Sequence, residues 1–286
     1  MTAALALLSS LLWGTSDFLG GSASRRLPVA TVVLASQSCA LAVLVPLALL
    51  VGPARLADVA LPAVAAGLVG PAALLAFYRA LAIGTMGVVA PVAALGVVVP
   101  VVAGLVGGET PSRAQLVGIG VAVAGVVLAS GPELRADAPG GLESLALALG
   151  AALGFGTVFV LLARGSDRGG GGVGAVVLVL VAMRATSVAG LAALRAGRRT
   201  AERAPRASLR TALPVLAVVG AFDVGANGAF AVASQTGLVS VTSVLASLYP
   251  VVTGILAWRV AGERLQRAQW SGVGLAMTGV VLLAAG

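Results

Sequence analysis

The chain has 286 residues, of which 59% are hydrophobic and 10% are charged, and its mean hydropathy is +1.08. A soluble domain needs more polar surface than this composition supplies, so most of the protein is expected to face lipid. The net charge of +8 comes from arginine, because the chain has no lysine. Histidine is absent and Cys39 is the single cysteine, which excludes a His/Cys metal centre and an internal disulfide.

Ten apolar segments follow one another along the chain, and a membrane-spanning helix needs about 20 such residues. Their alanine, glycine, valine and leucine runs favour helices packed through small residues over barrel strands. The segments are 3–21, 28–51, 59–82, 86–107, 113–130, 144–163, 173–194, 211–233, 238–260 and 268–285. The sequence predicts an all-α membrane protein with about ten transmembrane helices and the lipid bilayer as its surroundings.

The second half of the chain repeats the first. Trp13-Gly14-Thr15 returns as Phe155-Gly156-Thr157, and Glu109 returns as Glu263. We predict a first five-helix repeat over residues 1–130, a glycine-, proline- and charge-rich linker over 131–143, and a second five-helix repeat over 144–286. Because each repeat has an odd number of helices, the second enters the membrane from the opposite side, which makes the two an inverted pair.

Arginines cluster between the predicted helices, most densely over 195–210. The flanking helices favour a cytoplasmic loop that follows the positive-inside bias over a nucleic-acid partner, and we predict no nucleic-acid binding. This loop lies on the same side as Arg25, Arg26, Arg135, Arg264 and Arg267 when loops are counted alternately. That count places this side in the cytoplasm and both termini outside.

Charged and polar side chains within the apolar segments predict a binding site. A charge near the middle of a membrane helix costs about 2.5 to 3.5 kcal/mol on insertion scales, so it usually faces a cavity or a partner. Asp17 follows Trp13 by one helical turn, and Asn227 follows Asp223 by one turn, so each pair shares a helix face. The candidate substrate-binding or coupling residues are Trp13, Asp17, Gln37, Tyr78, Arg184, Asp223, Asn227 and Tyr249.

Two interpretations of these groups stay open. In the functional one, Asp17 or Asp223 carries a proton or binds a cationic group, and Arg184 anchors a carboxylate or pairs with an aspartate. In the structural one, an aspartate and Arg184 form a fixed pair that holds helices together, and Gln37 makes an interhelical hydrogen bond. Glu109 and Glu263 are predicted to be caps or ion pairs at helix ends.

Prolines predict bends in two helices, Pro91 and Pro100 in the fourth and Pro250 in the ninth, since proline removes a backbone donor. Residues 169–174 satisfy GxGxxG but follow no strand, so they do not predict a dinucleotide site. We find no hydrolase motif and no nucleophile and base pair. The sequence therefore predicts no enzyme, no catalytic residue, no metal and no cofactor.

The segments Trp13–Phe18, Tyr78–Ala82, Gly108-Glu109 and Gly262–Leu265 resemble the EamA-like carriers of the drug/metabolite transporter superfamily. The resemblance implies two inverted five-helix repeats around a central cavity, in a multi-pass carrier of a bacterial inner membrane. It also implies cytoplasmic termini, in conflict with the arginine count. Asp17 stands where many relatives have a neutral polar residue, and Gln37 where an arginine is frequent.

The expected function is secondary transport of a small metabolite, amino acid or drug-like solute by alternating access, with or without proton coupling. The alternative is a polytopic membrane receptor or assembly partner that transports nothing. The expected partners are a small-molecule substrate and the bilayer, and a homo-oligomer is left open.

Overall fold

The computed structural model describes residues 2–51, 56–130, 141–197, 205–263 and 267–285, which are mostly helical and contain no strand. This confirms the all-α class. The helices are α1 (Thr2–Ser24), α2 (Val29–Val51), α3 (Leu56–Ile83), α4 (Met86–Ala94), a 3-10 turn (Leu95–Val97), α5 (Val98–Val106), α6 (Arg113–Ser130), α7 (Gly141–Arg168), α8 (Gly172–Gly197), α9 (Arg206–Thr236), α10 (Val239–Ala246), α11 (Tyr249–Ala261) and α12 (Arg267–Ala285).

Eight helical stretches of the described chain are long and apolar enough to cross a membrane. They are α1, α2, α3, α7, α8, α9 and the two broken helices formed by α4 with α5 and by α10 with α11. Large apolar side chains such as Leu50 and Val106, which are 84% and 83% exposed, lie on the outer surface where lipid would solvate them. The helices α6 and α12 occupy the two other predicted segments and pack along each other.

Three predictions concern loops. Two of them fall largely outside the described residues, which do not include linker residues 131–140 or the arginines at 135, 198, 199, 203 and 264. The last three residues of the predicted linker, 141–143, begin α7. Residues 169–171 form a short turn between α7 and α8. This turn joins two helices, so the strand that a dinucleotide-binding loop requires is not there.

The two halves of the chain pack against each other in matching pairs. Helix α1 lies against α9 as α7 lies against α3, while α2 pairs with α8 and α6 pairs with α12. Thr2 and Thr236 share a hydrogen bond at one end of the bundle, here called the terminal end. Arg25 and Glu263 form an ion pair at the other, called the arginine-rich end, where Arg79 and Arg195 also lie. The core is thus shared between both halves.

Two helices break near their middle, as Pro100 and Pro250 predict, whereas Pro91 lies inside α4 without a break. The first break, Leu95–Val97, lies just before Pro100, and the second separates α10 from α11 just before Pro250. Proline cannot donate to the carbonyl four residues earlier, which leaves the carbonyls of Gly96 and Ala246 without that helical partner. The same prolines therefore locate both breaks.

The repeated glycines pack on these breaks. Gly14 of α1 lies against Tyr249 at the second break, where an added Cβ would come within 2.5 Å of the Tyr249 carbonyl oxygen. Gly156 of α7 lies against the first break, where an added Cβ would meet the Gly96 carbonyl and come within 2.7 Å of Val99 Cβ. In each half, the glycine of the Trp-Gly-Thr or Phe-Gly-Thr motif therefore packs against the broken helix of the other half.

We expect Gly156→Ala to lower the thermal unfolding temperature in detergent, because the new methyl group has no room at the first break. Overpacking of this kind typically costs about 1 to 3 kcal/mol. Intrinsic tryptophan fluorescence during a thermal ramp measures the effect.

The matched control is Gly150→Ala in the same helix, where an added Cβ meets nothing within 4 Å. Alanine there removes only the helix penalty of glycine, about 0.5 to 1 kcal/mol, so stability should hold or rise slightly. Equal unfolding temperatures for the two variants would contradict the packing argument.

Candidate functional site

Asp223 of α9 lies at the centre of a buried polar cluster. Its Oδ1 accepts hydrogen bonds from Trp13 Nε1 at 3.2 Å and Asn227 Nδ2 at 2.9 Å. Its Oδ2 accepts one from Gln37 Nε2 at 3.3 Å and lies 2.7 Å from Arg184 Nη2 in an ion pair. The carboxylate therefore connects α1, α2, α8 and α9 within the apolar interior.

Arg184 is the largest fully buried side chain in the described part of the chain, with 2% of its surface exposed. Its Nη1 donates to Gln37 Oε1 at 2.5 Å, and its charge is matched by Asp223. Arg184 therefore pairs with an aspartate, as both interpretations of the sequence allow, and that aspartate is Asp223. Nε of Arg184 remains buried without a hydrogen-bond partner among the described residues.

Asp17 differs from Asp223 in having no counterion among the described residues. It is 7% exposed and lines the same cavity, yet no described side chain donates a hydrogen bond to its carboxylate or pairs with it. Tyr249 also lines the cavity, and its Oη is buried without a partner within the described chain. The Arg184 and Asp223 charges cancel, so an ionised Asp17 leaves the site with a net charge of −1.

The cavity has a volume of about 50 Å³. Small-molecule sites are typically about 300 to 1,000 Å³, whereas a water molecule occupies about 30 Å³ of the liquid. Its wall is aromatic on one side, where Trp13 stacks on Phe159 with ring centroids 5.1 Å apart and Phe159 stacks on Phe230 at 4.7 Å. In this conformation the cavity is too small for a typical solute.

The structure brings six of the eight predicted residues to this cavity: Trp13, Asp17, Arg184, Asp223, Asn227 and Tyr249. Gln37 lies behind it, bonded to Arg184 and Asp223. Tyr78 is buried with its ring against Gly20 and does not line the cavity. The role of these residues in binding stays a prediction, while their convergence is a feature of the fold.

Sequence reasoning missed the aromatic wall. Phe159 and Phe155 line the cavity, but an apolar side chain in an apolar helix gives no signal by itself. The repeat contained that signal, because Phe155 is the counterpart of Trp13. At the same shift of 142 positions, Phe159 is the counterpart of Asp17.

Glu109 and Glu263 cap broken helices, which confirms their predicted role. Glu109 accepts hydrogen bonds at 2.8 and 3.1 Å from the backbone N–H groups of the first two residues of α10. Glu263 accepts one at 3.4 Å from the Gly87 N–H, in the first turn of α4, and pairs with Arg25 at 2.9 Å. Each half thus supplies a carboxylate to the positive N-terminal end of a helix in the other.

These features define a multi-pass membrane protein built from two similar halves around a closed polar centre. A model of the EamA-like transporter family matches residues 1–131 and 142–285, and the chain belongs to this family. The family model thus matches one stretch in each half of the chain. Members of the family are transporters, which agrees with the prediction that the chain is not an enzyme.

A solved structure, described only as a crystal structure of a protein, is similar to the chain with a TM-score of 0.72 and 20% identity. The similarity covers 98% of this chain and 95% of the other, and at this identity it supports the fold alone. No curated protein sequence matches the chain.

We expect Asp223→Asn to destabilise the protein strongly, because it leaves the Arg184 guanidinium buried without its counterion. Breaking a buried ion pair typically costs about 3 to 5 kcal/mol. The double variant Asp223→Asn/Arg184→Gln removes both charges and should recover part of the loss. The comparison is made by thermal unfolding in one detergent.

Asp17→Asn is the matched control, since it removes a buried carboxylate that has no counterion among the described residues. It should leave stability unchanged or raise it. If Asp17→Asn is as harmful as Asp223→Asn, the assignment of the ion pair to Asp223 is wrong.

Proposed function

We propose that the protein is a secondary carrier that moves a small solute across a cell membrane by alternating access. The supporting observation is a small cavity between the two repeats, lined by Asp17, which pairs with no described cation, and by Arg184 and Tyr249, which have buried polar atoms that no described residue satisfies. Unsatisfied buried polar groups are costly, so a site that binds a guest accounts for their presence. The proposal includes ten crossings in two inverted repeats and a bacterial inner membrane.

The proposed substrate class is a small zwitterion with an apolar or aromatic body, such as an amino acid. The Asp17 carboxylate suits an ammonium group, and the free Nε of Arg184 suits a carboxylate. Trp13, Phe155 and Phe159 offer aromatic faces for the body of the solute. Because the cavity is only about 50 Å³, binding requires the repeats to separate.

Asp17 is the proposed coupling residue. Asp223 already accepts three side-chain hydrogen bonds and pairs with Arg184, so its charge is balanced without a guest. Asp17 has no such balance: a proton would bring the net charge of the site to zero, whereas a zwitterion would pair its ammonium group with Asp17 and leave that net charge at −1. Movement of a neutralised site through the apolar interior avoids the cost of an unpaired charge.

The alternative is a receptor or assembly partner that binds a solute without moving it. We expect purified protein in sealed vesicles to take up one or more of the 20 common amino acids, tested individually as radiolabelled solutes with and without a pH gradient. Empty vesicles are the control. Binding of an amino acid in detergent together with no uptake and no counterflow would support the receptor instead.

We expect Asp17→Asn to reduce uptake driven by a pH gradient at least tenfold, since the group that gains and loses the coupling charge is gone. Counterflow exchange at equal pH separates the two roles of Asp17. Retained exchange assigns it to the proton, and lost exchange together with lost binding assigns it to the substrate's ammonium group.

Asp58→Asn, at an exposed position in the first turn of α3, is the control for removing one acidic group. It should leave both assays unchanged. Full gradient-driven uptake by Asp17→Asn would rule out Asp17 as the coupling residue.

A further inference from the structure

A second and larger cavity lies at the arginine-rich end of the bundle. It has a volume of about 750 Å³ and is formed where α1, α3 and α8 end and α2 begins. No residue lines both this cavity and the central one. Its polar lining is supplied by Ser24, Arg25, Arg26, Arg79 and Arg195.

The four arginines give this cavity an excess of positive charge. Arg25 pairs with Glu263 at 2.9 Å, and Arg79 lies 3.4 Å from Glu143. Arg26 and Arg195 have no carboxylate within 4.0 Å in the described part of the chain, so two charges are left for a ligand.

Arg195 is held in position by its neighbour on α2. Its Nη1 donates a hydrogen bond at 3.1 Å to Oγ1 of Thr31, a residue that is 4% exposed. A guanidinium fixed in this way has lost part of its side-chain entropy before a ligand arrives. It remains able to donate from its other nitrogen atoms, since the group carries five N–H donors.

Neutral donors also face the cavity. Ser24 is 7% exposed, and its Oγ is buried without a hydrogen-bond partner among the described residues. Val29 and Ala30, in the first turn of α2, line the cavity. The first backbone hydrogen bonds of that turn are donated by the N–H groups of Thr31 and Val32, so those of Val29 and Ala30 are not used in them. Free N–H groups at a helix N-terminus, together with the helix dipole, favour an anion.

We infer that this cavity binds a phosphate-bearing anion, at a site separate from the proposed transport site. Two uncompensated guanidinium groups, a serine hydroxyl and a helix N-terminus together match the charge and the acceptor oxygens of a phosphate group. The apolar part of the lining, which includes Leu75, Leu191 and Leu194, suits the organic part of such a ligand. The ligand is therefore the headgroup of an anionic phospholipid or a soluble organic phosphate.

The experiment measures the binding of two probes by native mass spectrometry, one for each source. Phosphatidylglycerol is titrated against phosphatidylcholine as the lipid probe, and glycerol 3-phosphate is the soluble probe. We expect the double variant Arg26→Gln/Arg195→Gln to bind the recognised probe at least tenfold more weakly than the unchanged protein. Each basic group near an anionic lipid contributes about 1 kcal/mol of binding free energy, so removing two arginines should weaken binding by more than tenfold.

Arg26→Gln alone keeps the experiment interpretable if the double variant folds poorly, because no described side chain bonds to Arg26. Arg195→Lys keeps the charge and should retain most of the affinity. Arg210→Gln, an exposed arginine of α9 outside the cavity lining, is the matched control and should change nothing.

Selective weakening for phosphatidylglycerol assigns the site to a lipid headgroup, and selective weakening for glycerol 3-phosphate assigns it to a solute. Weakening for both supports the shared phosphate chemistry. The inference is overturned if neither probe binds, if the double variant binds both with unchanged affinity, or if Arg210→Gln weakens binding as much. Transport activity enters none of these readouts, so failure of the proposed carrier function would be seen separately.

Discussion

A membrane interior offers no water to a backbone group that loses its helical partner, and two helices of this protein are broken inside it. Each break would be costly if its own half had to stabilise it. Instead, Gly14 and Gly156 allow close packing against the break in the other half, and Glu109 and Glu263 cap the N-termini of the other half's broken helices. Neither repeat is complete without the other, which explains why the pairs that cross between halves dominate the packing.

The polar groups of the central cavity also lie where the two halves contact each other. Helix α3 ends at residue 83 and α9 at residue 236, a shift of 153 positions, so Gly70 is the counterpart of Asp223. Asp17 has Phe159 as its counterpart, and all four of these residues line the central cavity. The site therefore lies where the repeats meet, with chemistry that differs at equivalent positions. An unequal lining can hold an asymmetric solute, whereas two identical halves would offer the same groups twice.

The sequence was sufficient for much of this fold, because hydropathy marks helices and the duplication marks the boundary between halves. It also identified Asp17, Arg184 and Asp223, since a charge within an apolar helix is conspicuous. It could not pair them: a helical position gives a direction around one axis but not which neighbouring helix lies there. The choice of Asp223 over Asp17 as the partner of Arg184 depends on how α8 and α9 are rotated in the bundle. Phe159 was missed for a related reason, as only packing distinguishes a cavity wall from an ordinary core.

The two ends of the bundle are closed by contacts of unequal strength. At the terminal end Glu109 accepts two short backbone hydrogen bonds, and hydrogen bonds to charged groups contribute about 1.5 to 3 kcal/mol each. At the arginine-rich end Glu263 accepts one long bond, and its ion pair with Arg25 is partly exposed, a kind of pair worth about 0.2 to 1 kcal/mol. Of these two glutamate contacts, the one at the arginine-rich end is therefore the weaker. Under the proposed carrier function, opening at the arginine-rich end would break the weaker of these two glutamate contacts, beside the cavity that carries the surplus arginines.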